Sequence, residues 1–318
     1  MEYVILILTL AGIVFGADCL VAGAVSIARK YNVSDFVIGA AIVGIGTSMP
    51  ELTVSVIGAL DGNSDVAIGN IVGSNIFNIL GILGLTAIFF PVSINRQNMK
   101  FEIPLCIGVS VLLTILAFNF FTGTPSRISR ADGIILLAVF AGYIWYSFYR
   151  DRYSCPMEQT EPVKEDKCPM WLATLKVVGG LALLITSCDL FVDKAVCIAK
   201  SFGVNDAFIS LTLIACGTSL PELAASVTAA AKKNTQLALG NIVGSNIFNI
   251  TLILGLSAEV MPLTSAGITV LDYVVMIAAA VLLLIFGFSG KIGRLGGAFM
   301  LLSFVAYTWY LLAAQKGF

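Results

Sequence analysis

Two acidic residues lie inside long apolar stretches of the sequence, within segments that nearly repeat each other. Glu51 belongs to GTSMPEL and Glu222 to GTSLPEL, and the central parts of the surrounding stretches contain no Lys or Arg. A carboxylate in the middle of a bilayer costs about 2.5–3.5 kcal/mol on insertion scales, so each one needs a compensating partner. Without a basic neighbour, two partners remain, namely protons or a cation from solution.

Hydroxyl and amide side chains recur at helical spacing around both carboxylates, and they favour a cation. These residues are Thr47, Ser48, Asn70, Ser74 and Asn78, repeated as Thr218, Ser219, Asn241, Ser245 and Asn249. Residues four apart share one face of a helix. Hydroxyl, amide and carboxylate oxygens are the ligands that hard cations prefer. The chain contains no His, and these polar stripes contain no Cys, which argues against zinc and copper.

A proline precedes each of the two carboxylates. Pro50 and Pro221 each lack a backbone N–H and crowd the carbonyl four residues earlier. The resulting kinks loosen carbonyls near Gly44 and Ala215. Irregular backbone at membrane depth is tolerated where it faces a cavity or other protein, so these carbonyls are candidate cation ligands.

Other polar and small residues in these stretches have structural interpretations. We expect Gly69, Gly73, Gly240 and Gly244 to pack helices closely, Asn75 and Asn246 to cap or cross-link helices, and Asp18 and Asp189 to be paired or interfacial. Asn70 and Asn241 fit a structural role and ion binding equally well. Cys155 and Cys168 lie in Cys-Pro-Met triplets without a CxxC spacing, which does not indicate a metal or disulfide site.

The composition requires a membrane. Of the 318 residues, 58% are hydrophobic and 12% charged, whereas soluble domains carry roughly 25% charged residues. A bilayer-spanning helix needs about 20 apolar residues. Such stretches occur at 3–27, 36–60, 65–90, 101–121, 131–149, 172–198, 207–231, 236–261, 268–288 and 294–314. The net charge of −1 offers no basic field for nucleic acid.

The chain is internally duplicated. GNIVGSNIFNI at 69–79 returns unchanged at 240–250, and the offset of 171 also aligns the two GTSxPEL segments. Each half holds five spans, so the second half enters the membrane from the opposite side. The fold class is therefore an all-α polytopic membrane protein of ten helices in two inverted five-helix repeats. The divisions are a first repeat at 1–149 with its motif at 36–90, a linker at 150–170, and a second repeat at 171–318 with its motif at 207–261.

The distribution of basic residues predicts the orientation. Thirteen of the 18 Lys and Arg residues lie in the loops that follow odd-numbered spans or at the adjoining span ends. Because Lys and Arg are enriched on the cytoplasmic side, we expect a cytoplasmic 150–170 linker and both termini outside a cell membrane.

At GTSMPE, GTSLPE and the paired GNIVGSNIFNI, the sequence resembles the cation/calcium exchanger superfamily, in particular the compact prokaryotic form of the sodium/calcium exchanger. The resemblance covers nearly the whole chain. It implies an electrogenic sodium/calcium antiporter that works by alternating access. The first and sixth predicted spans, 3–27 and 172–198, are then expected to slide across the core, and a monomer is sufficient. No cofactor or catalytic residue is implied, and the partners are the bilayer and the transported Na⁺ and Ca²⁺.

The resemblance also implies ion ligands at matching positions. Calcium is expected on Thr47, Glu51, Thr218 and Glu222. Sodium is expected on Gly44, Thr47, Ser48, Glu51, Ser74, Asn78, Ala215, Thr218, Ser219, Glu222, Ser245 and Asn249. Position 249 is Asn where several relatives carry Asp, which weakens the case for potassium co-transport.

Four alternative functions make different predictions. Proton/calcium exchange and potassium-dependent exchange differ in the coupled ion. A channel would conduct without a counter-gradient. No Ser/His, Asp-Asp or Cys-His arrangement supports a membrane-embedded enzyme.

Overall fold

The computed structural model describes residues 2–118, 127–154, 168–201, 215–264 and 268–315, and this part of the chain is almost entirely helical. Helices satisfy their backbone hydrogen bonds internally, as the hydrocarbon core of a bilayer requires. The helices are α1 (Glu2–Tyr31), α2 (Asp35–Thr47), α3 (Met49–Leu60), α4 (Ser64–Phe89), α5 (Asn98–Phe118), α6 (Arg130–Ser154), α7 (Met170–Ser201), the single turn α8 (Ala215–Gly217), α9 (Leu220–Ala231), α10 (Thr235–Val260), α11 (Val270–Gly287) and α12 (Arg294–Gln315).

Two short antiparallel strand pairs join loops at the helix ends. β1 (Val92–Ser93) pairs with β4 (Lys291–Ile292), and β2 (Arg127–Ile128) pairs with β3 (Leu263–Thr264). β1 and β3 are related by the same offset of 171 that relates the two sequence copies. The duplication thus extends beyond the motifs into the connections that follow α4 and α10.

The predicted spans coincide with helices wherever the chain is described. Within the described ranges, eight helices are long and apolar enough to cross a membrane, and the pair α2 and α3, interrupted at Ser48, makes a ninth. The remaining predicted span, 207–231, is represented by α8 and α9. Its residues 207–214 lie outside the described residues, as do 155–167 of the linker, including Cys155. The arrangement of ten helices as an inverted repeat therefore stays a prediction.

Helix burial separates interior helices from lipid-facing ones. In the most apolar window of α10, 94% of residues are buried, and in that of α4, 78%, against 11% for α12. α12 exposes large apolar side chains such as Leu295 and Trp309, as a surface in contact with lipid does. The two helices that carry the GNIVGSNIFNI segments, α4 and α10, are therefore interior helices.

One compact unit combines residues 1–47 with 142–244, and in it α1 packs along α7 through small residues. A Cβ added at Gly16 would lie 2.9 Å from the Gly180 carbonyl oxygen, and one at Gly23 would lie 2.7 Å from the Ala173 carbonyl oxygen. Such contacts require glycine because the two backbones nearly touch, as in small-residue packing of membrane helices.

The second compact unit combines residues 48–141 with 245–318. α3 packs on α4, α12 on α4, and α11 on α5. A Cβ at Gly84 of α4 would lie 3.0 Å from the carbonyl oxygen of Gly297 in α12. Each unit therefore draws on both halves of the sequence duplication, which brings motif residues from both repeats into each one.

Candidate ion-binding site

Both acidic residues lie in the first turn of a helix that begins after a break. Ser48 (φ −82°, ψ 9°) precedes α3, and Ser219 (φ −93°, ψ 10°) precedes α9. Pro50 and Pro221 fall in the first two positions of these helices, where the missing N–H removes no helical hydrogen bond. The prolines thus mark helix starts rather than kinks within a continuous helix.

This placement matters for the charge of the carboxylates. Glu51 and Glu222 are both completely buried, and each is the acidic residue in the first turn of its helix. The N-terminal end of a helix carries a partial positive charge that favours an anionic side chain nearby. The helix break therefore offsets part of the cost of burying each carboxylate.

Three predicted ligands fall in π-helical turns. Gly44 ends the π turn Gly39–Gly44 in α2, Asn78 lies in Phe77–Leu83 of α4, and Asn249 begins Asn249–Ile253 of α10. Single π turns within α-helices disturb the regular hydrogen-bond ladder and are frequent at functional sites. The sequence indicated backbone irregularity near Gly44 but gave no sign of the other two.

In the first unit, Asn241 joins three elements that carry predicted ligands. Its Nδ2 donates to the Glu222 carbonyl oxygen at 3.3 Å and to Ser226 Oγ at 2.9 Å, and its Oδ1 accepts from Thr47 Oγ1 at 3.2 Å. Thr47 Oγ1 also lies 3.5 Å from the Gly44 carbonyl oxygen. Because both neighbours accept, the Thr47 hydroxyl acts as a donor and its oxygen lone pairs are left for another partner. Asn241 therefore takes a structural role and also orients a candidate ligand.

The second unit repeats half of this arrangement at Asn70. Its Nδ2 donates to the Glu51 carbonyl oxygen at 3.2 Å and to Ser55 Oγ at 3.0 Å. Ser55 Oγ in turn donates to the Ala67 carbonyl oxygen at 3.4 Å. The backbone of Glu51 is thereby tied to α4, so the turn that carries the carboxylate is held in place.

Four asparagines of the second unit form a further buried network. Asn75 and Asn246 each donate from Nδ2 to the other's carbonyl oxygen at 3.2 Å. The prediction that these residues cross-link helices is confirmed. Asn78 and Asn249, both predicted sodium ligands, complete the network.

The remaining predicted ligands are mostly buried. Ser48, Ser74, Ser219 and Ser245 are each at most 2% exposed. Thr218 is half-buried, and Ala215 is described only through its backbone, in the helical turn α8. Each unit thus encloses a set of oxygen-bearing side chains from both sequence repeats.

The glycine prediction is confirmed for the second copy. A Cβ at Gly240 would meet the Phe36 carbonyl oxygen, and one at Gly244 would lie 2.7 Å from the Ala40 Cβ. For the first copy, a Cβ at Gly69 would lie 3.1 Å from Ile268 Cδ1, and one at Gly73 would meet nothing within 4 Å among the described residues, so close helix packing at these two glycines stays a prediction.

The two aspartates have different outcomes. Lys232 Nζ lies 2.6 Å from Asp18 Oδ1, and the two side chains are 36% and 54% exposed. The pairing predicted for Asp18 is therefore confirmed, at a partly exposed position. Asp189 is also exposed on α7, and its pairing stays a prediction.

Sequence reasoning missed Ser55 and Ser226, which are fully buried partners of Asn70 and Asn241. Each lies four residues after its glutamate and so shares a helix face with it. That spacing indicates that each serine faces the same way as its glutamate. It does not indicate that an amide from the neighbouring helix links the serine to the glutamate backbone.

A family profile, related sequences and a solved structure all indicate the same family. The sequence profile described as "Sodium/calcium exchanger protein" matches residues 1–149 and 172–313. The putative antiporter CaxA of Alkalimonas amylolytica is 39% identical, with 95% of this chain and 96% of the relative covered. The sodium/calcium exchanger MaX1 of Methanosarcina acetivorans is 33% identical, with 96% and 97% covered.

A solved structure extends this likeness to three dimensions. The sodium-calcium exchanger NCX_Mj, in crystals soaked with zero Na⁺ and Ca²⁺, superposes with a TM-score of 0.84 at 30% identity, covering 98% of each chain. The family is one of membrane transporters and not of enzymes. Since both the profile and the relatives cover nearly the whole sequence, the chain belongs to the sodium/calcium exchanger protein family.

Proposed function

We propose that this protein is an antiporter that exchanges Na⁺ for Ca²⁺ across the cell membrane by alternating access, with net movement of charge. The observation that carries the proposal is the pair of completely buried glutamates, each in the first turn of a helix that begins after a break. Discontinuous helices in transporters place their ends at substrate and ion sites. Family membership supports the same ions.

The calcium ligands are proposed to be the two glutamates with the hydroxyls of Thr47 and Thr218. Support comes from Thr47, whose hydroxyl acts as a donor towards Asn241 Oδ1 and the Gly44 carbonyl, so that its oxygen lone pairs can face a cation. Carboxylate and neutral oxygens together match the preference of Ca²⁺ for several oxygen ligands.

The sodium ligands are proposed to draw on the same glutamates and on the remaining oxygens. They are Gly44, Thr47, Ser48, Glu51, Ser74 and Asn78, with Ala215, Thr218, Ser219, Glu222, Ser245 and Asn249. The burial of the four serines and of both asparagines supports this assignment, since buried oxygens that exclude water can replace an ion's hydration shell.

Charge balance gives the coupling. Two ionised glutamates carry −2, so one Ca²⁺ neutralises them, whereas three Na⁺ leave about +1. An empty site keeps −2 in a low dielectric and resists crossing the membrane, which suppresses uncoupled leak. Ion binding then shifts the balance between inward-facing and outward-facing states by its differential affinity for them. The closely packed α1 and α7 are the helices proposed to slide.

The direct test is calcium uptake into proteoliposomes loaded with Na⁺ and diluted into sodium-free medium containing radioactive calcium. We expect uptake that requires the sodium gradient at fixed pH and persists without potassium. Glu51→Gln and Glu222→Gln should each abolish it, because each removes one of the two charges. Glu102→Gln is the matched control, since Glu102 is also buried but lies on α5.

Several outcomes would contradict the proposal. Full activity in either glutamine variant would overturn the carboxylate assignment. Uptake driven by a pH gradient without sodium would indicate proton exchange, and an absolute need for potassium would indicate potassium co-transport. Calcium flux without any counter-gradient would indicate a channel.

Electrogenicity needs a separate measurement. When sodium leaves and calcium enters, three-for-one exchange moves one positive charge outward. A vesicle interior made positive should therefore accelerate calcium uptake, and a negative interior should slow it. No response to the imposed potential would contradict net charge movement and favour two-for-one exchange.

We further propose that the 150–170 linker is cytoplasmic and that both termini face outside, from the distribution of Lys and Arg. A phosphatase reporter that is active only outside the cytoplasm should be active when fused after residue 318 and inactive when inserted in the linker. The opposite pattern would contradict the orientation.

A further inference from the structure

Four buried asparagines from α4 and α10 hydrogen-bond to one another in an arrangement with two-fold character. Asn75, Asn78, Asn246 and Asn249 are each at most 1% exposed. Asn78 Nδ2 donates to Asn246 Oδ1 at 3.0 Å, and Asn249 Nδ2 donates to Asn75 Oδ1 at 3.0 Å. Every bond in the set has a counterpart displaced by 171 residues, so the two repeats contribute equally.

The orientation of every amide in this set follows from two backbone carbonyls. A carbonyl only accepts hydrogen bonds, so the atom of Asn75 that faces the Asn246 carbonyl must be Nδ2. Oδ1 of Asn75 therefore faces Asn249, which must present its own Nδ2. The Oδ1 atom of Asn249 is thereby turned away from Asn75. Likewise, the Asn75 carbonyl must face Nδ2 of Asn246, so Asn246 Oδ1 faces Asn78, which must present its own Nδ2.

The two oxygens that are turned away have no hydrogen-bond donor. Asn78 Oδ1 and Asn249 Oδ1 are buried and accept no hydrogen bond within the part of the chain that the structure describes. A buried polar atom without a partner is costly, and such atoms in native proteins call for an explanation. A cation explains them, because amide oxygens are suitable ligands for hard cations.

We propose that Asn75 and Asn246 are positioning residues that hold the amide oxygens of Asn249 and Asn78, respectively, towards a bound sodium ion. This inference rests on the proposed function, and it adds residues to which no ion-binding role has been assigned. Each positioning residue acts on the ligand of the opposite repeat: Asn75 acts through Asn249, and Asn246 acts through Asn78. Without them, either ligand amide can turn its Nδ2 group to the ion, which repels it.

The test uses two fluxes in the full-length protein in proteoliposomes. The first is the sodium concentration that half-activates calcium efflux, and the second is calcium–calcium exchange in the absence of sodium. Asn75→Leu should raise the half-activating sodium concentration about tenfold, the effect of losing one well-placed ligand. Calcium–calcium exchange should stay within about threefold of wild type, because the proposed calcium ligands are left unchanged.

A double-mutant cycle separates positioning from simple cross-linking, and the internal symmetry supplies the matched control. In the Asn249→Ala background, Asn75→Leu should change sodium activation less than about twofold, because the residue it positions is already gone. In the Asn78→Ala background it should keep its full effect of about tenfold. Asn246→Leu should show the reverse dependence on the two backgrounds.

Several results would overturn the inference. Equal loss of sodium activation and of calcium–calcium exchange would make Asn75 only a helix cross-link. Additive effects of Asn75→Leu and Asn249→Ala would do the same. If wild type shows sodium-driven exchange and Asn75→Leu leaves it unchanged, this inference alone is wrong. If calcium flux in wild type does not depend on sodium, the proposed function is wrong.

If Asn75→Leu does not fold, Asn75→Asp takes its place. A protonated Asp at this buried position can donate to the Asn246 carbonyl and accept from Asn249 Nδ2, so it reproduces both contacts. We expect its sodium activation to stay within about threefold of wild type while the Asp is protonated. A tenfold loss under that condition would contradict the positioning role.

Discussion

The hydroxyl of Thr47 provides the sharpest test of how this protein presents oxygen to an ion. Thr47 is completely buried in α2, and its Oγ1 donates to Asn241 Oδ1 at 3.2 Å. Thr47→Val keeps the shape of the side chain but removes the hydroxyl. Two effects follow, because the Asn241 oxygen loses its donor and the proposed calcium site loses a ligand.

The expected magnitude follows from these two losses. A buried acceptor that loses its hydrogen-bond donor costs about 1–3 kcal/mol. The loss of one neutral ligand of similar worth corresponds to a roughly 5- to 150-fold rise in the half-saturating calcium concentration, since 1.4 kcal/mol is a factor of ten.

Thr251→Val is the matched control. Thr251 is also completely buried, but its hydroxyl donates to the Ile247 carbonyl oxygen of its own helix at 2.7 Å. Its removal leaves no distant polar partner unsatisfied, so we expect a change of less than about threefold.

The assay is the dependence of initial calcium uptake on external calcium, in proteoliposomes loaded with Na⁺. The melting temperature of each purified variant separates a site defect from general unfolding. If Thr47→Val changes the half-saturating calcium concentration no more than Thr251→Val does, the hydroxyl is not a ligand and the argument from its orientation is wrong.

Three further variants test the packing and the charges around the site. Asn241→Leu removes three hydrogen bonds and should lower the free energy of unfolding by about 2–4 kcal/mol, so an unchanged melting temperature would contradict its bridging role. Gly240→Ala places a Cβ against a backbone carbonyl of α2 and should destabilise the protein by about 1–3 kcal/mol. Gly108→Ala is the control and should not destabilise it, because its Cβ meets nothing within 4 Å among the described residues. Equal melting temperatures of the two variants would contradict this prediction. Lys232→Met removes a partly exposed ion pair with Asp18 that is worth about 0–1 kcal/mol, so transport and melting should barely change at physiological salt, and a large loss would show that the pair does more than its exposure suggests.

The helices and the candidate residues were largely readable from the sequence because both depend on local, repetitive signals. A run of about 20 apolar residues has few alternatives to a membrane helix, and the predicted spans at 65–90 and 236–261 match α4 and α10 to within one residue at each end. The duplication singled out Glu51 and Glu222, because identical motifs recur at a fixed offset.

The helix break was only partly readable. Proline at positions 50 and 221 indicated irregular backbone, but a proline fits both a kinked helix and the first turn of a new one. Only the structure places Glu51 and Glu222 in first turns, where the helix dipole favours their charge. The π turns that hold Asn78 and Asn249 have no proline signal at all.

By itself, the sequence determined that the chain lies in a membrane, that it is duplicated, and which oxygen-bearing side chains are buried there. Hydrophobicity and repetition can be read from the order of residues along the chain. The tertiary structure decided how those side chains are oriented. An amide is the same residue whether its oxygen or its nitrogen faces an ion, and its direction depends on partners about 170 residues away, as between Asn75 and Asn246. Periodicity along one helix carries no information about such partners, since they meet only when separate helices pack.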